Sequence, residues 1–424
     1  MKRFLSRVLP LLLSFGLIFN CTGCSTVLVL AGKARENSEA SSSVISESSA
    51  SSGVISTPVP TEDGDLRAFY TDVANAESVT VMVYMIGSDL ESEDGSATDD
   101  LLEMADAALS ENVHLVLQTG GTETWWNDVC TDDESERFVI ENGDMTLLQS
   151  LGSMNMTDAD TLSDFIRFSA ESYPADRYEL ILWDHGGGTM TGFGYDELYE
   201  DTSLTLSSLS TALYNGGVQF DFIGFDACLM ATAEVAYALD PYADYLIASE
   251  ESEPGEGWAY KNWLTMLAED PAVPTAELGK KLADDFLEAY IFADMPTLSV
   301  LDLRYVPELY AALESYWGSA YTALQSGSYG AFSQVRNNVR EFGDNEYDQV
   351  DLSDLATLTK QSLSLGTEDD VQAAVQNMVV YNVTYEKSAA GIAVYFPCLW
   401  PDYYGDTRFE MTCVGFPESY FEFY

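Results

Sequence analysis

The chain has 424 residues, 46% of them hydrophobic and including 7 Trp, 25 Tyr and 20 Phe, enough apolar material for large packed cores in two to three domains' worth of chain. It carries 70 acidic side chains against 18 basic ones, a formal net charge of -52. A field of that sign repels phosphate backbones and anionic headgroups, which argues against nucleic-acid binding, and it attracts cations and basic peptides. Most of these carboxylates need do no more than keep the protein soluble.

The first segment, MKRFLSRVLPLLLSFGLIFN, has a basic start (Lys2, Arg3, Arg7) and an apolar stretch too short for an ordinary membrane span, so residues 1–23 read as a secretory signal. Thr22-Gly23-Cys24 resembles a bacterial lipobox, in which Cys24 is lipidated and becomes the new N-terminus. Cys21 stands where such motifs usually have Leu, and an uncleaved anchor or plain secretion are the alternatives. Residues 24–66 form a tether, Ser-rich and free of aromatics over 36–60, which neither builds nor needs a core. The expected location is therefore extracellular, at the bacterial cell surface, with membrane contact through a lipid anchor only. The six cysteines (21, 24, 130, 228, 398, 413) contain no CxxC pair and no zinc-ligand spacing with either histidine. Cys398 and Cys413 are the one pair considered for a disulfide, and the scaffold does not depend on it.

From about residue 78 strands alternate with helices. VTVMVYMIG reads as a buried strand, ATDDLLEMADAAL as a helix and NVHLVLQTGG as the next strand. ERFVIENGDMTLLQSLG carries Asn-Gly between two strand-like runs, a hairpin signal. TDADTLSDFIRFSAESY is an amphipathic helix with Thr157 as its expected N-cap. YELILWD is a strand, SLSTALYNGG a helix with a glycine stop, and FDFIGFDA a further strand; CLMATAEVAYAL is expected as a buried helix beginning at Cys228, followed by strand YLIASEE. This alternation predicts an α/β fold with a largely parallel sheet between two helical layers. Beyond residue 275, helices (ELGKKLADDFLEAYIF, VPELYAALESYWGSAYTAL) mix with strand-like TLSVLDL and GIAVYF, and the role of this part is less legible.

In a parallel α/β sheet, reactive side chains collect where the strands end at their carboxyl edge. YELILWD runs into His185 and FDFIGFDA into Cys228, 43 positions later, the length of a loop, a crossover helix and a return strand. Adjacent parallel strands would bring imidazole and thiol to one rim, where the imidazole could generate the thiolate or protonate a leaving amine. The dipole of a helix starting at Cys228 would favour the anion. The N–H groups of Gly186 and Cys228 are the candidate oxyanion donors, and the run Gly186–Gly188 would leave a peptide room to approach. His114, inside an apolar run, reads as a structural imidazole.

LILWDHGGG, then FIGFDACLMA, then ASEESEPGEGW together resemble the clostripain family of cysteine endopeptidases, relatives of caspases, gingipains and legumains. The resemblance runs from about residue 79 through GIAVYFP. It implies a caspase-like catalytic domain over 67–295 with a C-terminal region, 296–424, packing on it. It further implies His185 as acid/base, Cys228 as nucleophile, a thioester acyl-enzyme, and cleavage of peptide or protein substrates after Arg or Lys.

Asp226 lies two residues before Cys228 on an extended strand, hence on the same face, and could pair with a basic substrate side chain. Glu256 stands where the family commonly has Asp and is carried over as a second pocket acid; Glu251 and Glu253 read as solvated loop residues. Asp184 adjoins the histidine but should point to the opposite face. No Lys or Arg occurs from Tyr178 through Tyr260, so self-cleavage after a basic residue in that window is not expected, and Arg137, in TDDESERF, is the nearest exposed-looking alternative upstream. No cofactor is expected. Calcium serves some relatives, but Gly95 in SDLESEDGSATDD falls one position late for a helix-loop-helix calcium site, so metal stays unassigned. Two other readings use the same residues: a noncatalytic surface protein that captures basic peptides, and a peptide ligase in which an amine resolves the thioester.

Overall fold

The computed structural model describes residues 66–424 apart from 200–201, 291–295 and 386–387. The signal segment, Cys24 and nearly all of the tether lie outside the described residues. Eleven strands are formed by the described residues: β1 (Val79–Ile86), β2 (Val113–Gly120), β3 (Ser135–Glu141), β4 (Asp144–Gly152), β5 (Arg177–Trp183), β6 (Phe220–Asp226), β7 (Ala243–Ala248), β8 (Thr297–Asp302), β9 (Gln349–Asp351), β10 (Val379–Thr384) and β11 (Ala393–Tyr395). Nine of them make one sheet in the order β10-β8-β7-β6-β5-β1-β2-β3-β4, and β9 and β11 pair separately. The five central strands, β7 to β2, are parallel; β3, β4, β8 and β10 extend both edges antiparallel.

Side-chain alternation explains the two layers of helix. On β1, Met82, Tyr84 and Ile86 enter the core beneath helices Ala159–Ser172 and Leu206–Gly216, while Val79, Val81, Val83 and Met85 face helices Ser96–Asp106 and Tyr260–Glu269. β5 divides the same way, Leu180 and Leu182 against Ile181 and Trp183. A strand apolar on both faces must be covered on both, and this is the physical content of the buried runs in the sequence.

Local signals account for most element ends. Asn142-Gly143 makes the β3–β4 turn with both residues at positive φ, 53° and 80°, the conformation Asn-Gly favours in a two-residue hairpin. The helix expected to begin at Thr157 is capped one residue later: the Asp158 carboxylate accepts from the Asp160 N–H. The sheet does not stop at residue 296, since β8 pairs with β7 and β10 with β8. The rest of the C-terminal region packs into the core above Leu206–Gly216 and Ala233–Leu239. Cys398 and Cys413 are free thiols, both exposed.

Candidate active site

β5 and β6 are adjacent and parallel, Trp183 opposite Asp226, and the pairing continues past the strands as the Asp184 N–H donates to the Asp226 carbonyl over 3.3 Å. His185 and Cys228 therefore leave the sheet side by side, and both are buried. The first glycine shows how closely their loops approach: a β-carbon on Gly186 would collide with the carbonyl oxygen of Cys228. A β-carbon on Gly187 would strike the Thr191 hydroxyl, and one on Gly188 the Gln349 amide oxygen. Each glycine thus has a packing reason within the protein, Gly186 and Gly188 against other segments and Gly187 against its own loop. The Gly186 N–H takes no part in the short bridge that follows, whose bonds are donated by Gly187 to Gly192 and by Gly194 to His185.

Cys228 does not begin a helix. Cys228 and Leu229 form a turn, and the helix runs from Ala233 to Leu239 with Thr232 as its cap, the hydroxyl accepting from the Val235 N–H at 3.1 Å. The helix dipole expected at the thiol begins instead at Thr232. The polar surroundings of the sulfur come instead from the loop after β7, whose Glu253 N–H lies 3.2 Å from Sγ. That loop is laced to the turn by Leu229 N–H to Glu251 carbonyl and Ala231 N–H to Ser249 carbonyl. Leu229 itself holds φ at 69°, a left-handed conformation that costs a branched residue about 1–2 kcal/mol. Backbone held in this region, here directly beside the Cys228 thiol, clusters at functional sites in proteins.

The partner of His185 is a residue the sequence reading passed over. Nε2 of the ring lies 2.6 Å from Oδ1 of Asp89, in the short helix Ser88–Ser92 that follows β1. Burial pulls the imidazole down, but the hydrogen bond to Asp89 and the charges of Asp184, Asp89 and Cys228 outweigh it and hold the ring at about 9. Asp89 is held below the usual carboxylate range: its burial would raise it, and the imidazole more than offsets that. Asp184 turns away, accepting from the Tyr195 N–H at 2.5 Å, and burial lifts it to about 7. His114 packs its ring against Tyr173.

The acids divide into layers. A pocket of about 340 Å³ is lined by Asp99, Asp100, Glu103, Glu256, Trp258 and Tyr290, among others. Gly257 separates this pocket from Asp226: a β-carbon there would sit 2.7 Å from Asp100 Oδ2 and 3.0 Å from Asp226 Oδ2. Glu256 is thus on the wall and Asp226 one layer behind it, its Oδ2 accepting from the Trp258 N–H at 3.0 Å and the Tyr260 hydroxyl at 2.7 Å. Burial lifts Asp226 to about 7 and holds Asp100 and Glu253 well above the usual carboxylate range. Glu253 is buried against the thiol and Glu251 pairs with Arg340 at 2.8 Å, so neither is the solvated loop residue expected. Asp89, Asp99, Asp100 and Glu103 all come from the acid-rich run after β1, whose place at the carboxyl end of a central strand was the available signal. Among the described residues, no group of three or more His, Cys, Asp or Glu side chains converges as a metal site.

A caspase-like sheet with a thiol and an imidazole on neighbouring strand ends defines the class of cysteine peptidases built on this fold. The chain belongs to the clostripain family, whose family model matches residues 83–398. It is 35% identical over 123 residues to clostripain of Hathewaya histolytica, covering 25% of this chain and 23% of that protein, so it spans about a quarter of the curated relative it matches. Two solved structures share the fold. One, a secreted C11 cysteine protease from Bacteroides thetaiotaomicron in complex with an irreversible peptide inhibitor, is 18% identical with a TM-score of 0.60, covering 80% of this chain and 99% of that one. The other, an inactive zymogen C11 protease from Parabacteroides distasonis, is 22% identical with a TM-score of 0.61, covering 82% and 98%.

Proposed function

We propose that the protein is a cysteine endopeptidase that cleaves after Arg or Lys, with Cys228 as nucleophile and His185 as acid/base. The observation that carries this reading is the meeting of the two loops at Gly186, with Asp89 on the far nitrogen of the imidazole. With Nε2 engaged by a carboxylate, Nδ1 is the nitrogen that serves the sulfur. An imidazolium at neutral pH, held by Asp89, keeps Cys228 as thiolate, and the Glu253 N–H donates to the sulfur anion. Sγ attacks the scissile carbonyl carbon, the oxyanion takes hydrogen bonds from the N–H groups of Gly186 and Cys228, and Nδ1 gives its proton to the departing amine. Water then opens the thioester, its proton returning to His185. The reaction so written uses no cofactor.

The acid pocket accounts for the preference. Burial makes the pocket acids Asp99 and Asp100 costly to ionise, and a guanidinium or ammonium that pairs with the exposed Glu256 carboxylate also offsets that cost. Asp226 acts from behind Gly257. The chain is read as exported and tethered outside the cell through Cys24; among the described residues no helix is long and apolar enough to cross a membrane.

Fluorogenic peptides ending in Arg, Lys or norleucine before the reporter test this. Wild type should release reporter from the first two, Cys228→Ala from none. Glu256→Gln should lose roughly 10-fold in kcat/KM on the basic peptides, the scale of one hydrogen bond to a charged group, with little change on norleucine. Equal absence of turnover in wild type and Cys228→Ala under reducing conditions would favour a noncatalytic capture of basic peptides.

A further inference from the structure

We propose that Gln349, in the C-terminal region, is a positioning residue that sets the distance between the His185 loop and the Cys228 loop. The inference rests on reading those two residues as the catalytic pair. Gln349 is fully buried, and each end of its amide reaches a different loop. Oε1 accepts from the Thr189 N–H at 3.0 Å, four residues after His185. Nε2 donates to the carbonyl of Leu229 at 3.1 Å, the residue directly after Cys228. The donor and acceptor present on the two loops dictate which way the amide faces, since only a group with one of each can satisfy both.

The brace is itself held firmly. Gln349 pairs with Tyr395 across the β9–β11 ribbon, and its carbonyl accepts from Phe342 at 3.0 Å. β11 in turn lies along the Cys228 turn: the Ala393 N–H donates to the Ala231 carbonyl at 2.8 Å. Gly188, with φ at 53°, leaves the space that the amide oxygen fills. Leu229 carries both the bond from Gln349 and the left-handed backbone that turns the chain away from the thiol. A buried amide spent on two backbone groups, one from each loop, couples the loops more directly than apolar packing could, because its bonds fail when either loop moves. This gives the region after residue 300 a part in the chemistry: it supplies the strut beneath the pair.

The test is the pH profile of iodoacetamide alkylation at Cys228, read residue by residue by peptide mass spectrometry, with exposed Cys398 as the reference within the same molecule. Full-length wild type is compared with Gln349→Met, which keeps the volume and removes both bonds, and with Gln349→Glu. In wild type, Cys228 should react at pH 6 as a thiolate, ahead of Cys398. Gln349→Met should slow Cys228 at least 10-fold at pH 6 and approach wild type by pH 9.5, where the thiol ionises unaided. The carboxyl introduced by Gln349→Glu has one donor and one acceptor while it is protonated, so this variant should match wild type at pH 5.5 and fall towards the Met variant as pH rises. Profiles that superimpose on wild type, or a drop that does not change with pH, would overturn the brace. Should Gln349→Met lose its near-ultraviolet circular dichroism, the Glu variant decides alone, and a constant ratio to wild type from pH 5.5 to 8 overturns it. A wild-type Cys228 no more acid-shifted than Cys398 would overturn the catalytic pair itself, and the brace with it.

Discussion

Asp89, in the short helix after β1, and His185, in the loop after β5, meet through one hydrogen bond of 2.6 Å to Nε2, and this contact orients the imidazole and favours its charged form. Asp89→Asn keeps the shape and removes the charge, so the imidazole should fall from about 9 toward neutrality. Activity at pH 7 should then drop about 10²-fold, within the range of general acid–base contributions, and the alkaline limb of the kcat/KM profile should move to lower pH. The stability sign follows from linkage. His185 is raised above its unbound value of 6.5, so its contribution is complete below that pH and is lost as pH rises through about 9. Asp89 is lowered from 3.8, so its share is present above that value and lost as pH falls through its depressed one. The melting-temperature gap between wild type and Asp89→Asn should be widest between about pH 4 and 6.5 and narrow above 9. A gap independent of pH would remove Asp89 from this role.

Gly186→Ala tests the meeting of the loops. The added methyl runs into the Cys228 carbonyl, backbone that cannot swing aside, so the His185 loop must lift. A displacement on the order of 1 Å costs about 10²-fold in rate, and that loss is expected in kcat with the far-ultraviolet spectrum unchanged. Gly318→Ala is the control: it is helical, nothing lies within 4 Å of the new β-carbon, and the gain should be about 0.5–1 kcal/mol of stability without change in activity.

The sheet was legible because its central strands are apolar on both faces, and their ends announced themselves through His185 and Cys228. The meeting of His185 and Cys228 at one rim follows from β5 lying beside β6, a neighbourhood that strand–helix alternation allows but does not by itself dictate. What was not legible depended on contacts distant in sequence. Asp89 is 96 positions from His185 and Gln349 is 120 from Leu229, and neither carries a local pattern that names its partner. The helix expected at Cys228 failed for a local reason: Leu229 adopts a left-handed turn, and Thr232, the residue able to cap, lies four positions on. The close neighbours of the three glycines, the Cys228 carbonyl, the Thr191 hydroxyl and the Gln349 amide, are information that resides largely in chain folded against chain.

Arg177 at the start of β5 offers a test of the fold at the end of the strand remote from His185. Its guanidinium is buried and bonded to Asp221, to Glu179 at 3.2 Å and to the carbonyls of Pro271 and Val273. Burial lifts Glu179 to about 8 even against the attraction of Arg177. Arg177→Met strands two carboxylates in the interior and should cost about 3–5 kcal/mol. Both acids would then bind protons more tightly in the folded state, so the penalty grows as pH rises through their wild-type folded values, about 8 for Glu179, and thermal melts should show it smaller at about pH 6 than at about pH 9. Activity per folded molecule at low temperature should be unchanged.

The chain should remain unbroken between residues 178 and 260 in active preparations. A peptidase that cuts after Arg or Lys finds neither in that window. Arg137, which looks exposed in the sequence TDDESERF, is unsuited by structure: it lies buried in β3, its Nε bonded to Gln118 and its other end to Asp164, with its plane over Phe168. A protease needs an extended segment it can draw into its cleft, and a buried strand paired on both sides cannot supply one. Intact-mass and N-terminal sequencing of wild type after prolonged incubation, beside Cys228→Ala, should show no new terminus after Arg137 and none between 178 and 260. A break in that window present in wild type and absent in Cys228→Ala would mean that the enzyme cuts after a residue other than Arg or Lys, and the acid pocket would need another occupant.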